Sequence, residues 1–440
     1  MFELLQIFLS IFIYFIIFSY PINYFNYNKI FIKIKLNFFD LILLNGIIHL
    51  NIYLFLSFFK FNIFFIFLFD IFLAILFFLF YFKQYNFFLK KNSKLFFFFV
   101  VLCFSLFVSI AYNPLQSWDG IAHWFFKALN YYQEKEYSDL INVPMNYYPH
   151  LGGYLWSYFW KGSLLQAEYF GRFLYPFLFL ISIFSLFEQL SKNFSIVEKI
   201  ILIFIVSYFC IDLMLFGGYQ EYLIFILFYI FSRTFLIMKD SKDNLDRNLL
   251  SIFFLFTSFL ILWSKQEGLF YYIILYIIYL IHSDHKFDFK FLYTILFLIL
   301  LLFFTFIKIY YFKGIQFNES ILHEELLNNF NIKILLYKIL IISKYLLISF
   351  IKYPIWIIIF FSTLFVFLKT NYFYKKNFFF TYLFLIFLLF FAIYLQTKDD
   401  ISQLLPLTLS RLVFHSAGFL LPIIIECLNN IKKKNHSIFN

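Results

Sequence analysis

Charge is scarce in this chain: 13% of its 440 residues are charged, while 63% are hydrophobic. No soluble domain of that size could withdraw so much apolar surface from water, which excludes a soluble globular enzyme. Cysteine is scarcer still. Cys103, Cys210 and Cys427 fall in separate apolar runs, which is neither a disulfide framework nor a metal-ligand spacing. Internal repeats are missing as well, and so are the marks of a cleaved leader. MFELLQIFLSIFIYFIIFSY (1–20) lacks a positive start and a small-residue cleavage site, and it carries Glu3. We read it as an uncleaved first span.

What is present is grease and aromatic rings, with 78 Phe and 35 Tyr, and apolar runs of 17 or more residues recur along the chain. Each is long enough to cross a hydrocarbon layer of roughly 30 Å as a helix. Phe, Ile, Asn and Lys are inflated together, as AT-rich coding makes them, so single Phe positions carry little weight. The fold expected is an all-α integral membrane protein, one polytopic domain over 1–440 with about 13 transmembrane helices. Candidate spans lie at 4–20, 39–59, 62–82, 95–112, 173–190, 198–216, 220–238, 249–265, 268–282, 290–312, 351–368, 378–396 and 411–428.

The net charge of +11 would suggest nucleic acid in a soluble protein. Here the lysines sit in short loops between spans, where they set orientation rather than bind nucleic acid. Lys29, Lys33 and Lys35 are two spans from Lys83, Lys90, Lys91 and Lys94, so both loops share a side, assigned as the cytoplasm. Lys192, Lys199, Lys239, Lys242, Arg247, Lys286, Lys290, Lys375, Lys376 and the tail Lys432 to Lys434 then fall on that side. Segment 331–350 is apolar enough to cross but holds Lys333, Lys338 and Lys344. Laid in the membrane plane with its lysines snorkelling, it keeps the charge pattern intact. The N-terminus is then outside the cytoplasmic membrane and the C-terminus inside.

On that topology the polar motifs share the extracytoplasmic face. The first long outer loop, 113–172, carries Asp119, His123 and Lys127 at helical spacing beside Trp118 and Trp124. The spacing suits an interfacial helix with a solvated charged face. It also suits a site in which Asp119 is a base and Lys127 holds a phosphate. His123 is a hydrogen-bonding neighbour, since no second His or Cys is spaced to complete a metal site. GGYQEY (217–222) and KQEG (265–268) put Glu221, Lys265 and Glu267 at junctions between spans. Charge there is expensive and usually faces a protein interior or a watery cavity. A break between spans is expected at Lys265 and Glu267, with Gly268 starting the next. A second outer loop with its in-plane helix, 313–350, carries Glu319, His323, Glu324 and Glu325. TKDDISQLLPLTLSRLVFH (397–415) ends with Arg411 and His415 on one helical face, where an Arg fork suits a lipid phosphate.

In order, the chain shows WDGIAHWFFKA (118–128), YYPHLGGYLW (147–156), GYQE (218–221), SKQEG (264–268) and SRLVFH (410–415). This series resembles the GT-C superfamily of membrane glycosyltransferases that use polyprenyl-phosphate-linked sugars, in particular its bacterial lipopolysaccharide- and protein-modifying branches. Residues 1–100 carry no matching motif. The resemblance implies inverting transfer to an extracytoplasmic glycan, lipid or protein, with Asp119 as general base. It implies Lys127, Lys265, Arg411 and Arg172 as cations for the lipid phosphate, supported by His123, Tyr148, Glu221, Glu267 and His415. Asp119-Gly120 departs from branches that place two neighbouring acids there, so no metal and no other cofactor is assigned. Two competing readings remain. One is an oligosaccharide ligase or polymerase of the outer leaflet. The other is a non-enzymatic lipid-linked sugar transporter, which the missing repeat and the span-end charges, Asp70 and Asp212 excepted, argue against.

Overall fold

The computed structural model describes residues 2–20, 36–80, 93–114, 116–188, 190, 194–241, 243–312, 332–369, 373–395 and 401–439. Every regular element among them is a helix. Before the first long polar stretch come α1 (Phe2–Ile17), α2 (Phe38–Leu56), α3 (Ile63–Phe80) and α4 (Ser93–Tyr112). The polar stretch itself folds into α5 (Phe126–Tyr132) and α6 (Leu151–Lys161). The middle of the chain forms α7 (Leu174–Glu188), α8 (Ile196–Cys210), the single turn α9 (Leu213–Phe216), α10 (Glu221–Asp240) and α11 (Asn244–Leu262). Then follow α12 (Gly268–His282), α13 (Phe287–Phe312), α14 (Ile332–Lys352), α15 (Ile355–Lys369), α16 (Phe373–Leu395) and α17 (Ile401–Phe439).

Ten of the helical stretches are at least 18 residues long and apolar enough to cross a membrane. The chain is a multi-pass integral membrane protein. Each expected span holds a helix, but α1, α8, α12 and α15 fall short of 18 residues, α7 reaches that length only with the 3-10 turn Glu168–Phe173 before it, and α14 is among the ten long ones. The shortfall of α8 has a local cause. Its last turn is capped by the Tyr222 hydroxyl, which donates to the Cys210 carbonyl and accepts the Asp212 N–H at 2.9 Å. Asp212 therefore sits at a helix junction rather than inside a span.

Two layers separate by burial. The membrane windows of α7 and α10 are wholly buried, whereas α3, α4, α13 and α14 bury less than a third of theirs. A helix that is apolar all round can sit either in the centre of a bundle or against lipid tails; packing decides between them. Against α10 lies α17, close enough that a Cβ at Gly418 would overlap the Phe225 carbonyl oxygen. Small residues at such crossings let two backbones approach. The two helices run in the same direction: Glu221 meets Arg411, Phe225 stacks on Phe414 at 5.1 Å, and Phe231 on Phe419 at 6.2 Å.

That shared direction defines two ends. One holds Glu221 and Arg411. The other holds Arg233 of α10 paired with Asp40 of α2 at 2.8 Å, and Lys239 with Asp284 at 2.6 Å. From Glu221 to Arg233 the helix rises about 18 Å. Two lysines of α14 reach this region: Lys338 donates to the Leu395 carbonyl at 3.2 Å, and Lys352 at the helix end to the Ser410 hydroxyl at 3.3 Å. Within the bundle, Asp70 of α3 accepts hydrogen bonds from Tyr20, Tyr53 of α2 and Tyr158 of α6, the last at 2.9 Å. Three phenols so satisfy a carboxylate that would otherwise be costly at this depth.

Candidate functional site

Asp119 reaches its place through main-chain packing. Residue Ser117 donates its N–H and its hydroxyl to the Gly217 carbonyl at 3.3 and 3.1 Å, and its Oγ accepts the Gly120 N–H at 3.1 Å. Gly120 presses on that same carbonyl so closely that a Cβ would overlap it. No side chain fits, which is a physical reason for glycine at this position. From Gly120 to Phe125 the chain forms a π-helix before α5 continues as an α-helix. A π-turn closes its hydrogen bonds from i to i+5 and so takes in an extra residue.

That extra residue separates the three polar positions of the stretch. Asp119 and His123 stay together, with Oδ1 to Nε2 at 3.9 Å. Lys127 turns inward and is fully buried, its ammonium donating to the carbonyls of His123 at 2.8 Å and Met145 at 2.7 Å. Burial pushes its pKa well below the usual lysine value, and Lys308 adds to the fall. Arg172 is also buried and occupied. It donates to the Pro114 carbonyl at 2.7 Å, to the Phe216 carbonyl, and to Glu168 at 3.2 Å. Lys127 and Arg172, expected as phosphate cations, are thus engaged by protein carbonyls: Lys127 braces the polar segment internally, and Arg172 ties it to the turn before α10.

The remaining expected residues converge. Arg411 donates through Nη1 to Asp119 Oδ2, lies 3.5 Å from Glu221 Oε1, and is steadied by Nε on the Leu407 carbonyl at 3.0 Å. Its guanidinium lies 5.5 Å from the Tyr219 ring centre. Lys265 donates to Glu221 Oε1 at 3.0 Å and sits 3.8 Å from Glu267. It stands in the break between α11 and α12, where residues 263–267 leave the helical path. Behind them His415 of α17 is fully buried, its Nδ1 3.4 Å from the Tyr271 hydroxyl.

The cluster is partly exposed. The side chains of Asp119, Arg411 and Glu267 are 17%, 19% and 24% exposed, while Glu221 at the floor is 1% exposed. Four buried atoms around it have no protein partner: Glu221 Oε2, Glu267 Oε2, His123 Nδ1 and His415 Nε2. Each such atom costs about 1–3 kcal/mol if nothing pairs with it. Unmet buried polar atoms around one ionic cluster mark a place for water or a ligand.

His123 lies 4.2 Å from the Tyr148 ring, centre to centre. Burial holds its pKa down to about 4; the Asp119 charge opposes the fall, and Lys127, Lys265 and Arg411 add to it. It is a neutral hydrogen-bonding group near pH 7. Tyr148 keeps its proton, since burial first, and then the charge of Glu267, push its pKa up. Among the described residues no three of His, Cys, Asp and Glu are disposed to hold a metal ion. In this cluster Lys265 and Arg411 stand between the carboxylates.

Sequence reasoning missed Tyr219 and Tyr271 as wall residues. Tyr219 was within reach, lying two positions before Glu221 inside a quoted motif. Glu319, His323, Glu324, Glu325 and the first residues of TKDD lie outside the described residues. No protein family, curated protein or solved structure matches the chain.

Proposed function

We propose that this protein is an inverting membrane glycosyltransferase that moves a sugar from a polyprenyl-phosphate donor to an acceptor on the extracytoplasmic face. One observation carries the reading: Asp119, Arg411, Glu221 and Lys265, from four separate segments, meet in one partly open cleft at the end of a membrane bundle. A carboxylate beside a forked cation is what transfer from a lipid phosphate requires. The acceptor O–H gives its proton to Asp119, and its oxygen bonds to the anomeric carbon from the face opposite the phosphate. The bond from that carbon to the phosphate oxygen breaks, and its electron pair leaves on the polyprenyl phosphate. Arg411 and Lys265 stabilise the charge that develops on this leaving group. Glu221 keeps the two cations apart and in place, and His123 and Tyr148 form a neutral wall beside Asp119.

The donor enters from the lipid, and the cleft faces outward in this reading, with α14 lying in the outer surface. A cysteine at Ser138 then reacts with an impermeant thiol reagent in spheroplasts, and one at Ser93 reacts only after permeabilisation. The chemical test is transfer from a polyprenyl-phosphate sugar in detergent by Asp119→Asn matched in amount to the wild type. The expected outcome is normal accumulation and at least ~100-fold slower transfer, the usual scale for loss of a general base. Near-wild-type turnover would remove Asp119 from the chemistry and the reading with it.

A further inference from the structure

The cleft suits a phosphate in its cations but not in its charge balance. Among the described residues two basic side chains, Lys265 and Arg411, stand among three carboxylates, Asp119, Glu221 and Glu267. A phosphate arriving here meets net negative charge, and like charges at such range oppose binding. It gains a cation only if a carboxylate gives one up.

The three carboxylates are not equally able to leave. Glu221 is buried at the start of α10 and shares Oε1 between both cations, so it cannot withdraw without freeing both. Glu267 touches only Lys265, at 3.8 Å. Asp119 holds Arg411 directly at the open rim, with both side chains nearly a fifth exposed. It also sits just before the π-helix and makes no side-chain cap bond to it. A π-turn is an uncommon helical register that is frequent at functional sites, and a return to α register re-aims the residue at its start. Tyr219 and the Leu407 carbonyl keep Arg411 in place when Asp119 moves.

We propose that the Asp119–Arg411 pair is the donor-free form of the site, and that the phosphate of the polyprenyl-phosphate donor displaces Asp119 from Arg411. The inference rests on the glycosyltransferase reading and adds an order to it. One anion replaces another on the guanidinium, so the exchange removes no positive charge from the cleft. The released carboxylate regains the lone pairs that Arg411 had engaged and turns them to the acceptor hydroxyl. Donor binds before acceptor, and the base is free only when there is a sugar to transfer. Water reaching the empty cleft meets an engaged carboxylate.

Equilibrium binding of undecaprenyl monophosphate to the purified full chain in detergent tests this. Asp119→Asn and Asp119→Ala should bind it roughly three- to tenfold more tightly than the wild type, the scale of a half-buried ion pair. Glu267→Gln, which removes the same charge without releasing Arg411, should gain less than either. Arg411→Ala should lose the binding. Arg411-dependent binding that Asp119→Asn leaves unchanged or weakens overturns the displacement alone. An equal gain in Glu267→Gln does so too, since charge and not the pair would then be responsible. Absence of any Arg411-dependent binding overturns the glycosyltransferase reading and the displacement together.

Discussion

Two ionic clusters lie about 18 Å apart on α10, and they are built to opposite ends. At the Arg233 end, Asp40 is saturated. Its Oδ1 accepts from Ser185 and from Arg233 Nε at 3.2 Å, and its Oδ2 from Arg233 Nη2 at 2.8 Å and the Asn37 N–H at 3.3 Å. At the Arg411 end the carboxylates share cations, and Glu221 Oε2 and Glu267 Oε2 are left over. The first cluster ties α2, α7 and α10 together and leaves nothing for a ligand to do. The second leaves two buried carboxylate oxygens without a protein hydrogen bond. A count of buried charges cannot tell them apart; the unmet hydrogen bonds can.

The comparison breaks most readily at Arg233. Arg233→Ala strands a buried carboxylate and should cost about 3–5 kcal/mol of stability, read as an early unfolding transition in detergent or as lost accumulation. Arg411→Ala should instead accumulate and unfold near the wild-type temperature, while transfer at low donor concentration falls by about two orders of magnitude. Arg411→Lys should recover only part of that, because the fork is gone. Equal unfolding of the two alanine variants would erase the distinction between the clusters.

Lys127→Met sharpens the contrast within the polar loops. It removes a charged donor from the carbonyls of His123 and Met145 and should destabilise by about 1–3 kcal/mol, with the affinity for undecaprenyl monophosphate unchanged. A selective loss of affinity would return Lys127 to the phosphate site. The smallest effect concerns His150, which hydrogen-bonds Ser57 at 2.6 Å beneath Trp263. Burial, and then the charges of Lys308 and Lys127, hold its pKa well below the ordinary value. The unfolded chain therefore binds the proton first, so this contribution is complete above about pH 6.5 and is lost as pH falls below it. Melting in detergent from pH 7.5 to 5 should drop by a few degrees, and His150→Gln should make the slope shallower.

The places of the helices were legible because apolarity is a local property, but ten stretches rather than about 13 reach spanning length, because helix ends are set by caps and breaks. The break at 263–267 was legible because charge and glycine interrupt an apolar run. Asp119, Glu221, Lys265, Glu267 and Arg411 stood out because a greasy chain makes each polar residue conspicuous. What position along the chain could not reveal was direction. Lys127 turns away through a π-helix whose seat, Gly120 on the Gly217 carbonyl, is a contact between distant segments. Asp40 and Arg233 pair across 193 residues, and each alone reads as an ordinary charge near a span end. Segment 331–350, expected to lie in the membrane plane, forms a 21-residue helix long and apolar enough to cross.

Asp70 sets a timetable for making this protein. Its carboxylate lies in α3, and a charge at the centre of an inserting helix costs about 2.5–3.5 kcal/mol. Two of its phenols, Tyr20 and Tyr53, precede it, but Tyr158 follows 88 residues later. At about 5–20 residues per second a ribosome needs roughly 4–18 s to deliver that third hydroxyl. Until then α3 sits in the insertion machinery or the lipid with its acid incompletely solvated. Docking of α6, which carries Tyr158, completes the acid's hydrogen bonds, so the polar segment 116–173 and the first three helices mature as a single event.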